Sequence, residues 1–301
     1  MIVDLPDTST QEVSKKLVRM RSRGGEITIG RVLTLIIDVA PGDEAEAAVA
    51  ASNDASREHP CRVIVVTRGD RRHKSKLDAQ IRVGGDAGAS EVVVLAMEGK
   101  LADHAHAVVT PFLLPDTPVV TWWPGDAPDK PAQDRLGSLA TRRITDARAA
   151  AKPADFLESR RKGYSTGDTD LAWSSITPWR AMLASAMDRP PHTKVTSALV
   201  QGPADNPGID LFGGWLHKEL KVPVTRTTGD WAIVLTRSDG ELEMTVDSQG
   251  GVLRSTGHPD GRAPFQRRTT AECLAEELRR LEGDEIYHQA LLGLSGLKRE
   301  K

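Results

Sequence analysis

The sequence is poor in cysteine and in aromatic residues. Among its 301 residues are 2 cysteines, Cys61 and Cys273, which lie far apart and form no Cys-x-x-Cys pair. This scarcity argues against a disulfide framework and against a zinc site. We therefore expect both thiols to be reduced and buried. Aromatic residues make up 4% of the chain, and 6 of them are tryptophans, so the tryptophans mark the places where the chain packs or binds.

An excess of one charge and a long apolar run are also missing. The formal net charge is −2 with 27% charged residues, which gives no general attraction to nucleic acid or to an anionic membrane. No stretch approaches the ~20 apolar residues of a membrane span, and residues 1–7 lack the basic start of a signal peptide. We expect a cytoplasmic protein with neither a nucleic-acid nor a membrane partner.

The common catalytic signatures are absent as well. The sequence contains no Gly-x-Ser-x-Gly, Walker or Gly-x-Gly-x-x-Gly motif. His104 and His106 are two residues apart, a spacing that points them to different sides of a helix and cannot form a metal pair. We predict no catalytic, cofactor-binding or metal-binding residue, and no cofactor.

The clearest local signal is the stretch from Asp170 to Arg180, which holds Trp173 and Trp179. We expect Thr177 to cap a helix that has Pro178 in its first position. From Trp179 onward, apolar residues recur at helical spacing on one face. The stretch is therefore interpreted as a core anchor for the second half of the chain, with partner binding as the alternative. Arg180 lies off this face, and its planar guanidinium suits a carboxylate on a partner or on the neighbouring Asp170 turn.

The first half of the chain predicts an α/β sheet. Residues 27–39 and 62–67 are rich in β-formers and flank an alanine-rich helix at 41–56, an order that favours parallel pairing. The basic loop 68–76 is interpreted as a hairpin tip before a strand at 77–83. Further strands are expected at 91–97 and 118–123, helices at 99–109 and 129–141, and an edge strand at 143–147.

The strand at 118–123 ends in Trp122 and Trp123. Ligands tend to bind at the carboxyl ends of parallel strands, so Trp122, Trp123 and Asp126 are the best site candidates of the first half. Paired core aromatics are the favoured alternative.

The second half predicts another βαβ unit and then a meander. Strands at 194–202 and 222–226 flank a helix at 206–220, and three strands follow between 231 and 256, separated by Asp-Gly and Gly-Gly turns. Helices are expected at 269–282 and 283–294, with a frayed end at 298–301. We predict two layered α/β domains, 1–165 and 166–301, with mixed sheets, flanking helices and an antiparallel meander in the C-terminal domain.

Three phrases together resemble a known family. They are DLAWSSITPWRAMLASAMD at 170–188, HPCRVIVV at 59–66, and Pro118-Val119-Val120 followed by Trp122-Trp123-Pro124. Their order is similar to that in the bacterial OpcA family of glucose-6-phosphate dehydrogenase assembly proteins, over about residues 45–290. The resemblance implies a non-catalytic allosteric activator that binds glucose-6-phosphate dehydrogenase and promotes its active oligomer in the oxidative pentose phosphate pathway.

Two functions from different classes follow from these observations. The first is the assembly factor, with Trp122, Trp123, Asp170, Trp173, Trp179 and Arg180 as candidate partner-binding residues or structural anchors. The second is a small-molecule-binding or enzymatic α/β protein of unknown substrate, because a scattered active site leaves no local motif.

Overall fold

The computed structural model describes residues 1–24, 31–84, 91–190, 192–263 and 267–300. Its first sheet has eight strands, three of which are buried along their full length. These are β1 (Ile2–Leu5), β2 (Leu33–Asp38), β3 (Cys61–Arg68), β4 (Lys76–Arg82), β5 (Glu91–Glu98), β6 (Val119–Trp122), β7 (Arg142–Thr145) and β8 (Asp168–Asp170). Their spatial order is β1-β4-β5-β3-β2-β6-β7-β8.

The centre of this sheet is parallel. β2 pairs with β3 on one side and with β6 on the other, and β5 and β7 extend the parallel part outward. β4 then joins β5 in antiparallel register, and β1 joins β4. The chain progresses from β2 through β3 to β5 in one direction and returns to β6 on the other side of β2. The boundary between β2 and β6 is therefore the point where the strand order reverses.

The second sheet has seven strands in the order β14-β13-β12-β11-β9-β10-β15. These are β9 (Val195–Gly202), β10 (Val224–Thr228), β11 (Ala232–Arg237), β12 (Gly240–Asp247), β13 (Gly250–Ser255), β14 (Gly261–Ala263) and β15 (Leu297–Arg299). β9, β10 and β15 are parallel, and β11 to β14 form an antiparallel meander beside β9. The predicted α/β class with mixed sheets and a C-terminal meander is confirmed.

Helices flank both sheets. They are α1 (Thr10–Gly24), α2 (Asp43–Ala55), α3 (Ala105–Val109), α4 (Pro153–Gly163), α5 (Leu171–Ser175), α6 (Thr177–Met187), α7 (Pro207–Leu220), α8 (Thr270–Arg279) and α9 (Glu285–Gly293). None of the described helices is long and apolar enough to cross a membrane.

Two compact units share the chain. The first consists of Met1–Asp146, Ser165–Thr169 and Thr270–Gly283, and the second consists of Ala147–Tyr164, Asp170–Thr269 and Asp284–Lys301. The predicted domains 1–165 and 166–301 are consecutive segments, whereas α8 lies in the first unit. It packs on α2, and Glu277 of α8 accepts a 2.6 Å hydrogen bond from the buried Arg142 of β7. Removing either partner would deprive a buried charge of this ion pair, so the contact fixes the place of α8.

The second unit is organised around α7, which is buried along most of its length. α7 lies against β9, β10 and α9. A Cβ on Gly214 would collide with the backbone of Ala290, and a Cβ on Gly293 with the backbone of Gly214. The glycines therefore allow the two helix backbones to touch.

Several predictions for the first half are wrong. Residues 129–141 form two short 3-10 turns, Pro131–Gln133 and Gly137–Leu139, because the Asp134 carboxylate binds the backbone N–H groups of Leu136 and Gly137 and replaces helical bonding. The helix predicted at 99–109 is present, as a 3-10 helix (Gly99–His104) that continues into α3. The strand expected from 27 begins at Leu33, and residues 27–30 lie outside the described part of the chain.

Strand pairing also differs from expectation. β3 and β4 do not form a hairpin, since β5 lies between them in the sheet. β7 is an interior strand between β6 and β8, so the predicted edge position is wrong. The predicted frayed end at 298–301 is replaced by β15, which pairs with β10 and is held by hydrogen bonds from Arg299 to the buried Asp210.

Candidate functional site

Trp122 and Trp123 lie at the carboxyl end of β6, and each is 1% exposed. Trp122 pairs in register with Ile37 of β2 and Ile144 of β7. The indole N–H of Trp123 donates a 3.1 Å hydrogen bond to Oδ2 of Asp38, the last residue of β2. Asp126 is exposed, unlike the two tryptophans. Both tryptophans are therefore inside the unit, and only Trp123 reaches a polar group at the strand ends.

Asp38 is the centre of the polar groups at this edge. Nη2 of Arg68, the last residue of β3, donates a 2.8 Å hydrogen bond to Oδ2 of Asp38. Burial raises the pKa of the Asp38 carboxyl above its ordinary value, and the charge of Asp134 adds to this, while Arg68 and the Trp123 N–H act in the opposite direction. A perturbed carboxyl beside the β2–β6 reversal lies where α/β sheets commonly bind ligands.

A cleft of about 780 Å³ opens beside this cluster. It is lined by the residues that follow β3, by the 3-10 helix and α3 after β5, and by the turns after β6. Three arginines contribute to the wall: Arg68, Arg71 and Arg135. His104 and His106 line the same cleft, with ring centroids 6.4 Å apart. The cleft is thus polar, with cationic and neutral donors brought together from three separate loops.

Asp170 occupies a different environment, in the second unit. Its side chain is fully buried. Oδ1 accepts a 2.8 Å hydrogen bond from the N–H of Ala172, which caps α5, and both oxygens accept from the N–H of Ala147 at 3.0 Å. Asp170 therefore joins two chain segments inside the second unit.

The predicted cap at Thr177 is also wrong. Ile176 is the residue before α6, and Thr177 is already helical. The Thr177 hydroxyl instead accepts a 2.9 Å hydrogen bond from Nη2 of Arg180. The α5 helix before it, which begins at the Asp170 cap, explains the difference, since the chain enters α6 from a helix rather than from an extended segment.

Trp173 lies between Arg180 and the start of α9. The guanidinium carbon of Arg180 lies 3.5 Å from the centroid of the Trp173 ring, a cation–π contact. The Trp173 indole N–H donates a 2.9 Å hydrogen bond to Oδ2 of Asp284, whose other oxygen caps α9. The structure thus brings Asp170, Trp173 and Arg180 together around α5, with Trp173 itself buried.

Trp179 lies at the border between the core and the surface. It is partly buried, as are Met182 and Met187, whereas Leu183 and Ala186 are buried. Its ring lies 4.4 Å from that of Trp231, which in turn meets Phe212 edge-on. Of the apolar residues predicted to face inward on this helix, only Leu183 and Ala186 are therefore fully inside the core. Trp179 and Trp231 form a partly buried aromatic pair.

Three residues of the candidate sites were not predicted from the sequence: Asp38, Arg68 and Trp231. Asp38 and Arg68 are each the last residue of a strand, which is a signal that places them at the sheet edge. Trp231 precedes β11 and gave no sign of its partner Trp179. Among the described residues, no group of three or more His, Cys, Asp or Glu side chains is placed to hold a metal ion.

Comparisons with known proteins concern both halves of the chain. A model of the OpcA family described as the glucose-6-phosphate dehydrogenase subunit N-terminal domain matches residues 52–162. A second, described as the C-terminal domain of the same subunit, matches residues 166–291. No curated protein matches the chain.

Two solved structures show a distant likeness. One is described as trehalose-6-phosphate from E. coli bound with UDP-2-fluoro glucose, at 9% identity and a TM-score of 0.25, covering 65% of this chain and 64% of that chain. The other is described as an OtsA apo structure, at 8% identity and a TM-score of 0.23, covering 65% of each chain. This chain thus spans less than two thirds of either one, and at such TM-scores the likeness supports no inference.

Proposed function

The chain belongs to the OpcA family of glucose-6-phosphate dehydrogenase assembly proteins, and from this membership we propose that it binds glucose-6-phosphate dehydrogenase and promotes its active oligomer. The observation that carries the proposal is the pair of family matches, which follow one another over residues 52–162 and 166–291. The protein would act in the bacterial cytoplasm on the oxidative pentose phosphate pathway, as an allosteric activator without catalysis of its own.

We assign the partner contact to the aromatic pair of Trp179 and Trp231. Partly exposed tryptophans are enriched among the residues that dominate binding energy in protein interfaces. Trp122, Trp123, Asp170 and Trp173 are buried and would act as structural anchors. Arg180 is already stacked on Trp173, which favours a bracing role for it as well.

The direct test mixes this protein with the glucose-6-phosphate dehydrogenase of the same organism. Native mass spectrometry should show a joint complex and a shift of the dehydrogenase oligomer. Steady-state kinetics should show a higher kcat or a lower KM, since an activator that binds one state better shifts the population toward it. Unchanged masses and kinetics at saturating protein would refute the proposal.

The aromatic pair is tested by truncation with a matched control. Trp179→Ala and Trp231→Ala should each weaken the complex about tenfold or more. Val246→Ala removes an exposed apolar side chain (43%) from the meander of the same unit and should leave binding unchanged. Each variant is first shown to fold by circular dichroism. Equal affinity of the folded tryptophan variants and the parent would exclude this surface.

The absence of catalysis is tested separately. The isolated protein should not reduce NADP⁺ in the presence of glucose 6-phosphate. Once it has been removed from a mixture with the dehydrogenase, the rate of the dehydrogenase at saturating substrate should be unchanged. The enzymatic alternative would be favoured if the isolated protein turned over substrate and lost this activity when Asp38 or Arg68 was replaced.

A further inference from the structure

We propose that the cleft at the carboxyl edge of the first sheet binds a phosphorylated small molecule through Arg71 and Arg135. The cleft receives its walls from loops that follow β3, β5 and β6. β3 and β6 flank β2 on opposite sides, so these loops meet over the reversal of strand order. Crevices at that position are the usual ligand sites of open α/β sheets.

The size of the cleft selects a small molecule. Its volume of about 780 Å³ lies within the ~300–1,000 Å³ of typical ligand pockets. A sugar phosphate or a mononucleotide fits such a space. A nucleic-acid chain does not fit the charge distribution, because Asp103 and Asp134 line the same cleft as the arginines and would repel a continuous phosphate backbone.

The guanidinium N–H groups of Arg71 and Arg135 favour an anionic ligand. Within the described residues, the side chain of Arg71 donates one hydrogen bond, to Oδ2 of Asp103, and that of Arg135 donates one, to the carbonyl oxygen of Asp103. A guanidinium has five N–H donors, so most of them face the cleft or solvent. Arg71 is 72% exposed in its side chain, and an ion pair this exposed contributes little to folding. Its position is better explained by a ligand than by stability.

The carboxylates of the cleft are engaged by the protein. Asp103 accepts from Arg71, and Asp134 accepts from the backbone N–H groups of Leu136 and Gly137. A phosphate monoester, with three terminal oxygens, can accept paired N–H groups from both Arg71 and Arg135, a geometry that guanidinium groups favour. The shared chemistry is the phosphate ester, whichever sugar or nucleoside carries it.

Calorimetric titration of the full chain, without any partner protein, tests this inference. Ribose 5-phosphate and AMP are the probes, and ribose and adenosine are their uncharged counterparts. At ~10 mM a ligand with a Kd of ~1 mM occupies about nine tenths of its sites, so even weak binding is measurable. The phosphorylated probes should bind and the uncharged ones should not. Binding of ribose 5-phosphate alone would identify a sugar phosphate, and binding of AMP alone a nucleotide.

Matched variants locate the site. Arg71→Gln and Arg135→Gln should each weaken binding about tenfold or more, because each removes a charge-assisted donor. Arg57→Gln removes a similarly exposed arginine (77% exposed) from the segment that follows α2 and should leave binding unchanged. Both cleft arginines are exposed, so the variants should keep the parent's melting temperature. The inference is overturned if neither phosphate ester binds, if the uncharged probes bind equally, or if the folded cleft variants bind as the parent does.

Discussion

Replacing Asp170 should remove a large part of the stability of the second unit. Its carboxylate is fully buried and accepts the N–H groups of Ala147 and Ala172, both of which are buried. Asp170→Ala leaves these two amides without that acceptor. Each orphaned buried donor costs ~1–3 kcal/mol, so we expect a total loss of about 3–5 kcal/mol, an unusually large value for one substitution.

A second variant separates the charge from the hydrogen bonds. Asp170→Asn keeps one oxygen acceptor, which can serve Ala172 or Ala147 but not both equally well. We expect about half the loss of Asp170→Ala. The control is Asp188→Ala, an exposed residue that follows α6, which should change stability by less than ~0.5 kcal/mol.

Urea unfolding measures these losses. The second unit holds Trp173, Trp179, Trp215 and Trp231, so tryptophan fluorescence reports mainly on it, and circular dichroism at the same urea concentrations checks that one transition is followed. The midpoint should fall at an unchanged slope. A loss below ~1 kcal/mol for Asp170→Ala, equal to that of the Asp188→Ala control, would refute the account of Asp170 as the acceptor that joins two segments.

Three further predictions follow from the same structure. Trp179→Ala should lower the free energy of unfolding by ~1–3 kcal/mol rather than by the ~3–5 kcal/mol typical of a full core truncation, because Trp179 is half-buried beside Trp231. A larger loss in differential scanning calorimetry would contradict the position of Trp179 at the border of the core. Because burial raises the pKa of Asp38, the folded state binds that proton more tightly than the unfolded chain, and the cost of ionisation grows as pH rises through the raised pKa. Asp38→Asn removes this cost. The Tm of the variant should therefore rise relative to that of the parent between about pH 4 and about pH 7, and a difference in Tm that does not change with pH would contradict the raised pKa of Asp38. Cys61 and Cys273 are both fully buried thiols, so a thiol reagent should label neither in the native protein within minutes and both after unfolding; rapid native labelling would show that one of them is accessible.

The sequence predicts best where the local pattern and the tertiary environment agree. The strands around Ile64 and Val65 are apolar because both faces of the central sheet are buried, and periodicity alone reveals this. The meander follows from turns in which Gly240 and Gly250 have φ values of 132° and 130°, a conformation that glycine adopts without strain. These elements required no knowledge of distant residues.

Strand order is where local reasoning fails. β4 alternates between buried and half-buried residues, which is typical of a strand with one wet face, but this alternation does not say which strand lies beside it. The structure inserts β5 between β3 and β4. Asp38 and Arg68 could be placed at the edge of a sheet from sequence, yet their contact depends on β2 and β3 being neighbours in the same orientation, which is a property of the whole sheet.

The position of α8 cannot be derived from the sequence, for a related reason. Its apolar face, with Cys273, Leu274 and Leu278, would suit either sheet equally. The decisive contact is the ion pair between Arg142 and Glu277, which are 135 positions apart in the chain. Charged residues are usually solvated, so neither side chain gives a local sign that it is buried with a partner.

The two proposed sites can be examined independently because they lie in different units. Arg71 and Arg135 belong to the first unit, and Trp179 and Trp231 to the second. If both proposals hold, Arg71→Gln should weaken the binding of phosphate esters without weakening the complex with the dehydrogenase, and Trp179→Ala should weaken the complex without weakening the binding of phosphate esters. If phosphate esters change the affinity for the dehydrogenase, reciprocity requires that the dehydrogenase changes the affinity for the ester by the same factor. Measuring both factors therefore distinguishes a regulatory ligand from one that binds without consequence for assembly.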